Sequence, residues 1–281
     1  MEELHLKSYA KVNLSLEILY KRQDGYHEID SIMQEIDLCD ELVFSDNKDG
    51  IRIGSNSEEI PLDSSNLVYK AWELMKEVSG IYRGITIRID KKIPVAAGLA
   101  GGSSNGAATL KAINQLWNLK LSEEELMKIG VRIGADVPFC IMGGTARARG
   151  IGEKLTRLEP FKEKYILIAN PGIRVSTAYA YSKVDLDGLR YDSRSLMEAM
   201  KRNDLNGVSA GLYNRLEKTI IAENPIIGHM KTMMKDNGAL GALMSGSGST
   251  VFGIFDDEEK MDYANRKLSE NFTKVYSCKT I

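Results

Sequence analysis

The chain has little cysteine, proline or histidine, only 3, 6 and 3 of its 281 residues. Cys39, Cys140 and Cys278 form no CxxC pair and no framework of bridges, which excludes a disulfide scaffold and suits a reducing cytoplasm. Three histidines give poor material for a His-rich metal site or a Ser-His-Asp triad. An excess of one charge is also missing: 37 basic residues face 39 acidic ones. That balance argues against nucleic-acid binding and against a polybasic membrane anchor. The longest uncharged stretches, Ile93–Leu110 and Asn237–Phe255, are punctuated by glycine, serine and asparagine. A membrane helix needs about 20 mostly apolar residues, so none is expected. Met1-Glu-Glu-Leu-His lacks a basic n-region, and no signal peptide is expected. What is present, 43% hydrophobic and 27% charged residues, is the composition of a folded chain. At roughly 150 residues per domain the length suggests two.

Val12, Leu14, Leu16 and Ile18 alternate with Asn13, Ser15 and Glu17, the pattern of a half-buried strand. A turn at Gln23-Asp24-Gly25 and short strands at Glu41–Ser45 and Ile51–Gly54 follow. Leu67, Ala71, Leu74 and Val78 predict a helix behind Asp63-Ser64-Ser65, and Ile85, Ile87 and Ile89 predict a strand. Helices are then predicted from Ala107 to Leu116 and from the capping box Ser122/Glu125 to near Gly134. A strand at Tyr165–Ala169 precedes helices at Ser195–Lys201, Leu205–Leu212 and Pro225–Met234. Further strands are expected at Leu240–Met244, Thr250–Phe255 and Val275–Cys278. Strands and helices mix without a regular βαβ alternation, so the class is α+β. A rise in charge over Thr156–Glu163, with Pro160 inside it, divides the chain into domains 1–159 and 160–281.

Between the strand ending near Ile89 and the next helix lies Pro94-Val95-Ala96-Ala97-Gly98-Leu99-Ala100-Gly101-Gly102-Ser103-Ser104-Asn105-Gly106. Glycines let successive N–H groups converge on an anion, and a helix start adds the positive end of its dipole. Ser103 and Ser104 can cap that helix or donate to phosphate oxygens. A structural loop whose small residues allow tight helix packing explains the same run. The dipole alone contributes about 0.3–1 kcal/mol, so other donors and cations must assist; Lys91 and Lys92 lie just upstream. The run matches neither GxxxxGK[ST] nor GxGxxG, and no GxSxG, HRD or DFG occurs elsewhere.

Three segments read together carry a resemblance. Pro94–Ala108 resembles the nucleotide loop of the galactokinase, homoserine kinase, mevalonate kinase and phosphomevalonate kinase superfamily, and Ser245-Gly246-Ser247-Gly248-Ser249-Thr250 resembles its C-terminal glycine motif. Ala10-Lys11-Val12-Asn13-Leu14 followed by Asp24-Gly25-Tyr26-His27 resembles the family of 4-diphosphocytidyl-2-C-methyl-D-erythritol kinases within it. The resemblance implies an N-terminal ribosomal-protein S5-like nucleotide domain and a C-terminal ferredoxin-like domain, with the active site in the cleft between them. It implies transfer of the ATP γ-phosphate to the 2-hydroxyl of 4-diphosphocytidyl-2-C-methyl-D-erythritol, in the methylerythritol phosphate route to isoprenoid precursors. The expected setting is cytoplasmic, with neither nucleic acid nor membrane as partner, and the chain a monomer or weak homodimer. Another small-molecule kinase of the superfamily, or a non-catalytic nucleotide-binding module, is the alternative.

Carried over residue by residue, the resemblance assigns catalysis to Lys11 and Asp136, the latter in Gly134-Ala135-Asp136-Val137-Pro138. Read alone, these are a strand-end lysine and a turn aspartate stopped by Pro138. ATP contacts fall on Val95 through Asn105, with Asn66 and Lys92 at the adenosine end; a helix cap is the other reading of Asn66. The cytosine falls to Tyr26, His27 and Tyr181, the rest of the substrate to Asn13, Thr177, Gly246 and Ser247. Helix-surface packing also explains one of Tyr179 and Tyr181, and a tight hairpin between buried strands explains Gly246–Thr250. Mg²⁺ is expected to be held mainly through phosphates, with Ser104 the nearest hydroxyl, since no acidic cluster announces a metal site. Ala96, Ala97, Ala100 and Gly106 depart from the family's usual spelling of the loop.

Overall fold

The structure, a computed structural model, describes residues 3–186, 188 and 190–281. In chain order the elements are β1 (Glu3–Lys21), β2 (His27–Asn47), β3 (Ile51–Ser55), α1 (Leu67–Ser79), β4 (Gly84–Asp90), α2 (Gly101–Leu116), α3 (Glu123–Gly130) and α4 (Val137–Met142). They continue with β5 (Thr145–Gly150), β6 (Lys154–Arg157), β7 (Tyr165–Asn170), α5 (Thr177–Ser182), α6 (Arg194–Lys201), α7 (Leu205–Ala210) and β8 (Tyr213–Asn214). The last are α8 (Glu217–Glu223), α9 (Pro225–Asp236), β9 (Gly241–Met244), β10 (Val251–Phe255), α10 (Glu258–Ser269) and β11 (Lys274–Lys279). The class is mixed α+β. Two compact units result: residues up to Ala10 with Cys39–Val95 and Ala100–Gly143, and Lys11–Leu38 with Ala96–Leu99 and Gly144–Ile281.

In the first unit β4 pairs in parallel with β3 and antiparallel with the end of β2, Glu41 opposite Asp90. Phe44, Ile85 and Ile87 of this sheet are fully buried with Ala71 and Met75 of α1 and Leu110 and Ile113 of α2. α1 starts at Asn66, whose side chain accepts from the Val68 N–H, and stops at Gly80 in the left-handed region (φ 69°). A side-chain cap of this kind contributes about 1 kcal/mol. The capping box of α3 forms as expected, although the helix ends at Gly130 rather than near Gly134.

α2 begins six residues before the expected Ala107, which corrects the reading of Ser103 and Ser104 as caps. Its N-cap is Ala100, left-handed at φ 57° and ψ 23°, with no side-chain cap bond, and both serines lie inside the first turns. Pro138 is corrected too: it opens α4 rather than stopping a helix, and Asp136 is that helix's N-cap residue.

In the second unit β11, β7, β10 and β9 form an antiparallel sheet in that order, with Val251 opposite both Ala169 and Met244. Leu167, Phe255, Met230, Met234 and Leu268 join this sheet to α9 and α10 in one core. The same unit holds Lys11–Lys21 of β1, paired in parallel with β8, and the ladder of β2, β5 and β6.

Candidate active site

β1 buries both of its faces around Lys11–Ile18, not one as the alternating pattern suggests. Val12, Leu14 and Leu16 form the apolar face; Lys11, Asn13, Ser15 and Glu17 lie on the other because side chains two apart share a face. A buried polar face persists only if each group is satisfied. Here Lys11 Nζ donates to Asn13 Oδ1 at 2.6 Å, and Asn13 Nδ2 donates to Ser31 Oγ at 2.8 Å. Ser31 in turn donates to the Ser15 carbonyl at 2.6 Å. Lys11 and Asn13 are only 4% and 2% exposed, so the chain holds a cation in a sheltered polar row.

The two glycine-rich segments meet beside this row. Gly98 lies so close to the Ser245 carbonyl that a Cβ on it would stand 2.1 Å from that oxygen, and its φ of +77° favours glycine independently. Ser245 Oγ donates to the Gly98 carbonyl at 3.0 Å, and the Lys11 N–H donates to the Leu99 carbonyl at 3.1 Å. A Cβ on Gly246 would meet the Gly98 carbonyl at 3.1 Å and Asn13 Oδ1 at 3.4 Å. Asn214 Nδ2 fixes the turn from below, donating to the carbonyls of Met244 and Gly246, both at 2.8 Å. Ser247 Oγ lies 3.2 Å from Thr177 Oγ1 at the start of α5. One unit therefore gathers Lys11, Asn13, Ala96–Leu99, Thr177, Gly246 and Ser247. The hairpin reading of Gly246–Thr250 also holds, since β9 and β10 are buried neighbours.

The turn at Gln23–Gly25 leaves Tyr26 61% exposed. His27, the next residue, is half-buried with its ring centroid 5.4 Å from that of Tyr181 and tilted 43° to it. Burial lowers the His27 pKa, and the charge of Lys21 adds to the effect. Tyr179 turns elsewhere, its hydroxyl donating to the Glu223 carboxylate at 2.9 Å. Of the two tyrosines, it is thus Tyr181 that accompanies His27.

The first unit holds Asn66, Lys92, Val95, Ala100–Asn105 and Asp136. Because Ala100 starts α2, the N–H groups of Gly101, Gly102 and Ser103 have no carbonyl within the helix and sit at its positive end. Gly102 is exposed, whereas Gly101 packs against Ile93 and Lys91. Ser104 and Asn105 face inward: Ser8 Oγ donates to Asn105 Oδ1 at 2.6 Å and lies 2.9 Å from Ser104 Oγ. Ser103 is instead the serine near the Asp136 turn, its Oγ 3.8 Å from a Cβ built on Gly134. Asp136 is half-buried and its carboxylate does not cap α4.

Both ends of the Asn66 amide are engaged, with Val68 N at 3.0 Å and the Pro61 carbonyl at 2.6 Å, so the capping reading holds. Lys92 is solvent-exposed and paired with Glu41 at 2.8 Å. The Lys91 side chain is buried, donating to Asp40 at 2.8 Å and to the Ile93 carbonyl at 2.6 Å. Burial lowers its pKa and Asp40 opposes that shift.

Residues 66–144 match the family described as GHMP kinases N terminal domain, and residues 196–274 match GHMP kinases C terminal. A 4-diphosphocytidyl-2-C-methyl-D-erythritol kinase of Alkaliphilus metalliredigens is 49% identical over 96% of this chain and 94% of its own. Its counterpart in Clostridioides difficile is 46% identical over 98% and 95%. The chain belongs to the 4-diphosphocytidyl-2-C-methyl-D-erythritol kinase family. A crystal structure of a 4-(cytidine 5'-diphospho)-2C-methyl-D-erythritol kinase is similar at a TM-score of 0.85, with 31% identity and 99% of each chain covered. A homoserine kinase from Cytophaga hutchinsonii, 22% identical over 100% of this chain and 98% of its own, shares the fold at a TM-score of 0.76.

Among the described residues no group of three or more His, Cys, Asp or Glu side chains is placed to hold an ion. The donors are hydroxyls and single carboxylates, a set that suits Mg²⁺ arriving on a nucleotide's phosphates rather than in a protein cage. Ser8, Ser31 and Asn214, which support these groups, carry no motif in the sequence, whereas Ser245 lies in the second glycine-rich motif. Ser31 could have been suspected only by asking what orients the Asn13 amide beside a buried lysine.

Proposed function

We propose that this chain transfers the γ-phosphate of ATP to the 2-hydroxyl of 4-diphosphocytidyl-2-C-methyl-D-erythritol. The observation that carries the reading is the buried Lys11–Asn13 pair beside the interlocked backbones of Gly98 and Gly246. A sheltered ammonium next to two glycine turns suits a site where negative charge must be aligned and neutralised. Phosphoryl transfer through a loose transition state asks mainly for that.

The roles follow from chemical type. Backbone N–H groups at the start of α2 receive the triphosphate, which the helix dipole favours. Asp136 orients the substrate hydroxyl and accepts its proton late, as the bond to phosphorus forms. Lys11, steadied by Asn13, balances charge on the transferring group. His27 and Tyr181 read the cytosine edge and face, Tyr26 adds a second ring, and Thr177, Gly246 and Ser247 contact the diphosphate side. Lys92 and Asn66, the latter while capping α1, serve the adenosine end. When bound, Mg²⁺ neutralises phosphate charge; Ser103 is the hydroxyl this chain offers it. The working form is a cytoplasmic monomer or weak homodimer.

An ADP-release assay with 4-diphosphocytidyl-2-C-methyl-D-erythritol against cytidine-free alcohols tests the reading. Turnover should require the cytidine-bearing alcohol. Comparable rates with homoserine or mevalonate would overturn it in favour of another kinase of the superfamily, and no ADP with any alcohol would favour a binding module.

A further inference from the structure

Within the second unit, a cavity of about 540 Å³ opens between α7, α8 and α9 over the strand β9. That volume is in the range of small-molecule sites. Its charge is one-sided: Lys218, Lys231 and Lys235 line it with the single carboxylate of Glu217. Lys231 is paired, its Nζ 2.6 Å from Glu217 Oε2. Lys218 and Lys235 have no ion-pair partner among the described residues. Position makes Lys218 the more telling of the two. It sits in the first turn of α8, where the helix dipole disfavours a cation, so nothing in its own helix accounts for it. Ser209, on the same wall, has a hydroxyl shielded from water and without a hydrogen-bond partner.

The cavity floor is wired to the second glycine turn. Glu217 uses one oxygen for Lys231 and the other, at 2.8 Å, to accept the N–H of Met244. Met244 precedes Ser245, and its carbonyl shares the Asn214 amide with that of Gly246. An anion in the cavity recruits Lys231 and leaves Glu217 holding Met244 beside a second negative charge. We infer that this cavity is an anion site separate from the phosphate-transfer groups. It takes a small phosphate or diphosphate ester, and its occupancy is coupled through Glu217 to the Gly246–Thr250 turn. Coupling of this kind is reciprocal, so ligands at either place alter affinity at the other.

Inorganic pyrophosphate is the probe, titrated calorimetrically into the full chain and into a Lys218→Glu/Lys235→Glu variant; both lysines are exposed, so folding should survive. Lys235→Gln alone provides a milder control. The double variant should lose one binding event or weaken it at least tenfold, and the single variant should lie between. Identical isotherms, or no binding to the parent chain, would overturn the site. A methyl-labelled Met244 NMR signal should shift with pyrophosphate in the parent chain and not in the double variant. A Met244 signal that stays put while pyrophosphate binds would overturn the coupling.

Discussion

Lys11 Nζ and Asn13 Oδ1 are 2.6 Å apart, two residues along one strand and both sealed from solvent. The Asn13 amide is thus one of the groups that fix the lysine's geometry. A hydrogen bond to a charged group contributes about 1.5–3 kcal/mol. Asn13→Ala should lower kcat by at least about tenfold, the rate equivalent of 1.4 kcal/mol, with the KM for ATP little changed. Lys11→Ala should lower kcat further. If either variant raised KM while sparing kcat, Lys11 would be a ground-state binding residue rather than part of the transfer step.

Asp136 is the N-cap residue of α4 and makes no side-chain cap bond to it. General-base assistance is worth roughly 10²–10⁴-fold. Asp136→Asn should reduce turnover by that order while equilibrium titration with a non-hydrolysable ATP analogue gives unchanged affinity. Parallel losses in both measurements would remove Asp136 from the chemistry.

Gly98 and Gly102 set packing against the proposed ligand contact within one glycine-rich run. A side chain at Gly98 collides with the Ser245 carbonyl and is forced into a left-handed conformation, itself worth about 1–2 kcal/mol. Gly98→Ala should therefore destabilise by more than about 2 kcal/mol in urea unfolding. Gly102 has helical geometry and open space, Leu67 Cδ1 lying 3.8 Å away. Gly102→Ala should stabilise the chain by roughly 0.5–1 kcal/mol while raising the KM for ATP. If Gly102→Ala left that KM untouched, the start of α2 would not be where the phosphates rest.

Strong periodicity made α1, β4, β7, α9 and β10 legible, because each buries one stripe or one full strand in a core. The capping box of α3 was legible for a different reason, being wholly local. α10 has no counterpart among the expected helices although Met261, Ala264 and Leu268 recur at helical spacing behind the cap Asp257. The start of α2 was hidden for a physical reason: left-handed Ala100 carries no cap spelling, and glycines and serines look like loop. Much of the candidate site was readable only through family resemblance. A lysine, an asparagine and a serine alternating with apolar residues look like a wet strand face until their mutual hydrogen bonds are seen.

His27 supplies a pH test. Burial holds its pKa below the ordinary 6.5, so the unfolded chain binds the proton more readily than the folded one. Stability from this group is therefore full above 6.5 and is lost as the pH falls below it. The same sign applies to substrate recognition if the neutral ring reads the cytosine edge beside Tyr181. The KM for the cytidine substrate should stay level down through 6.5 and climb only at lower pH, while the KM for ATP does not follow. His27→Gln should raise the first KM at neutral pH and flatten its dependence on acid. A climb that persists undiminished in His27→Gln would move the titrating group elsewhere and leave Tyr26 and Tyr181 to hold the base by stacking alone.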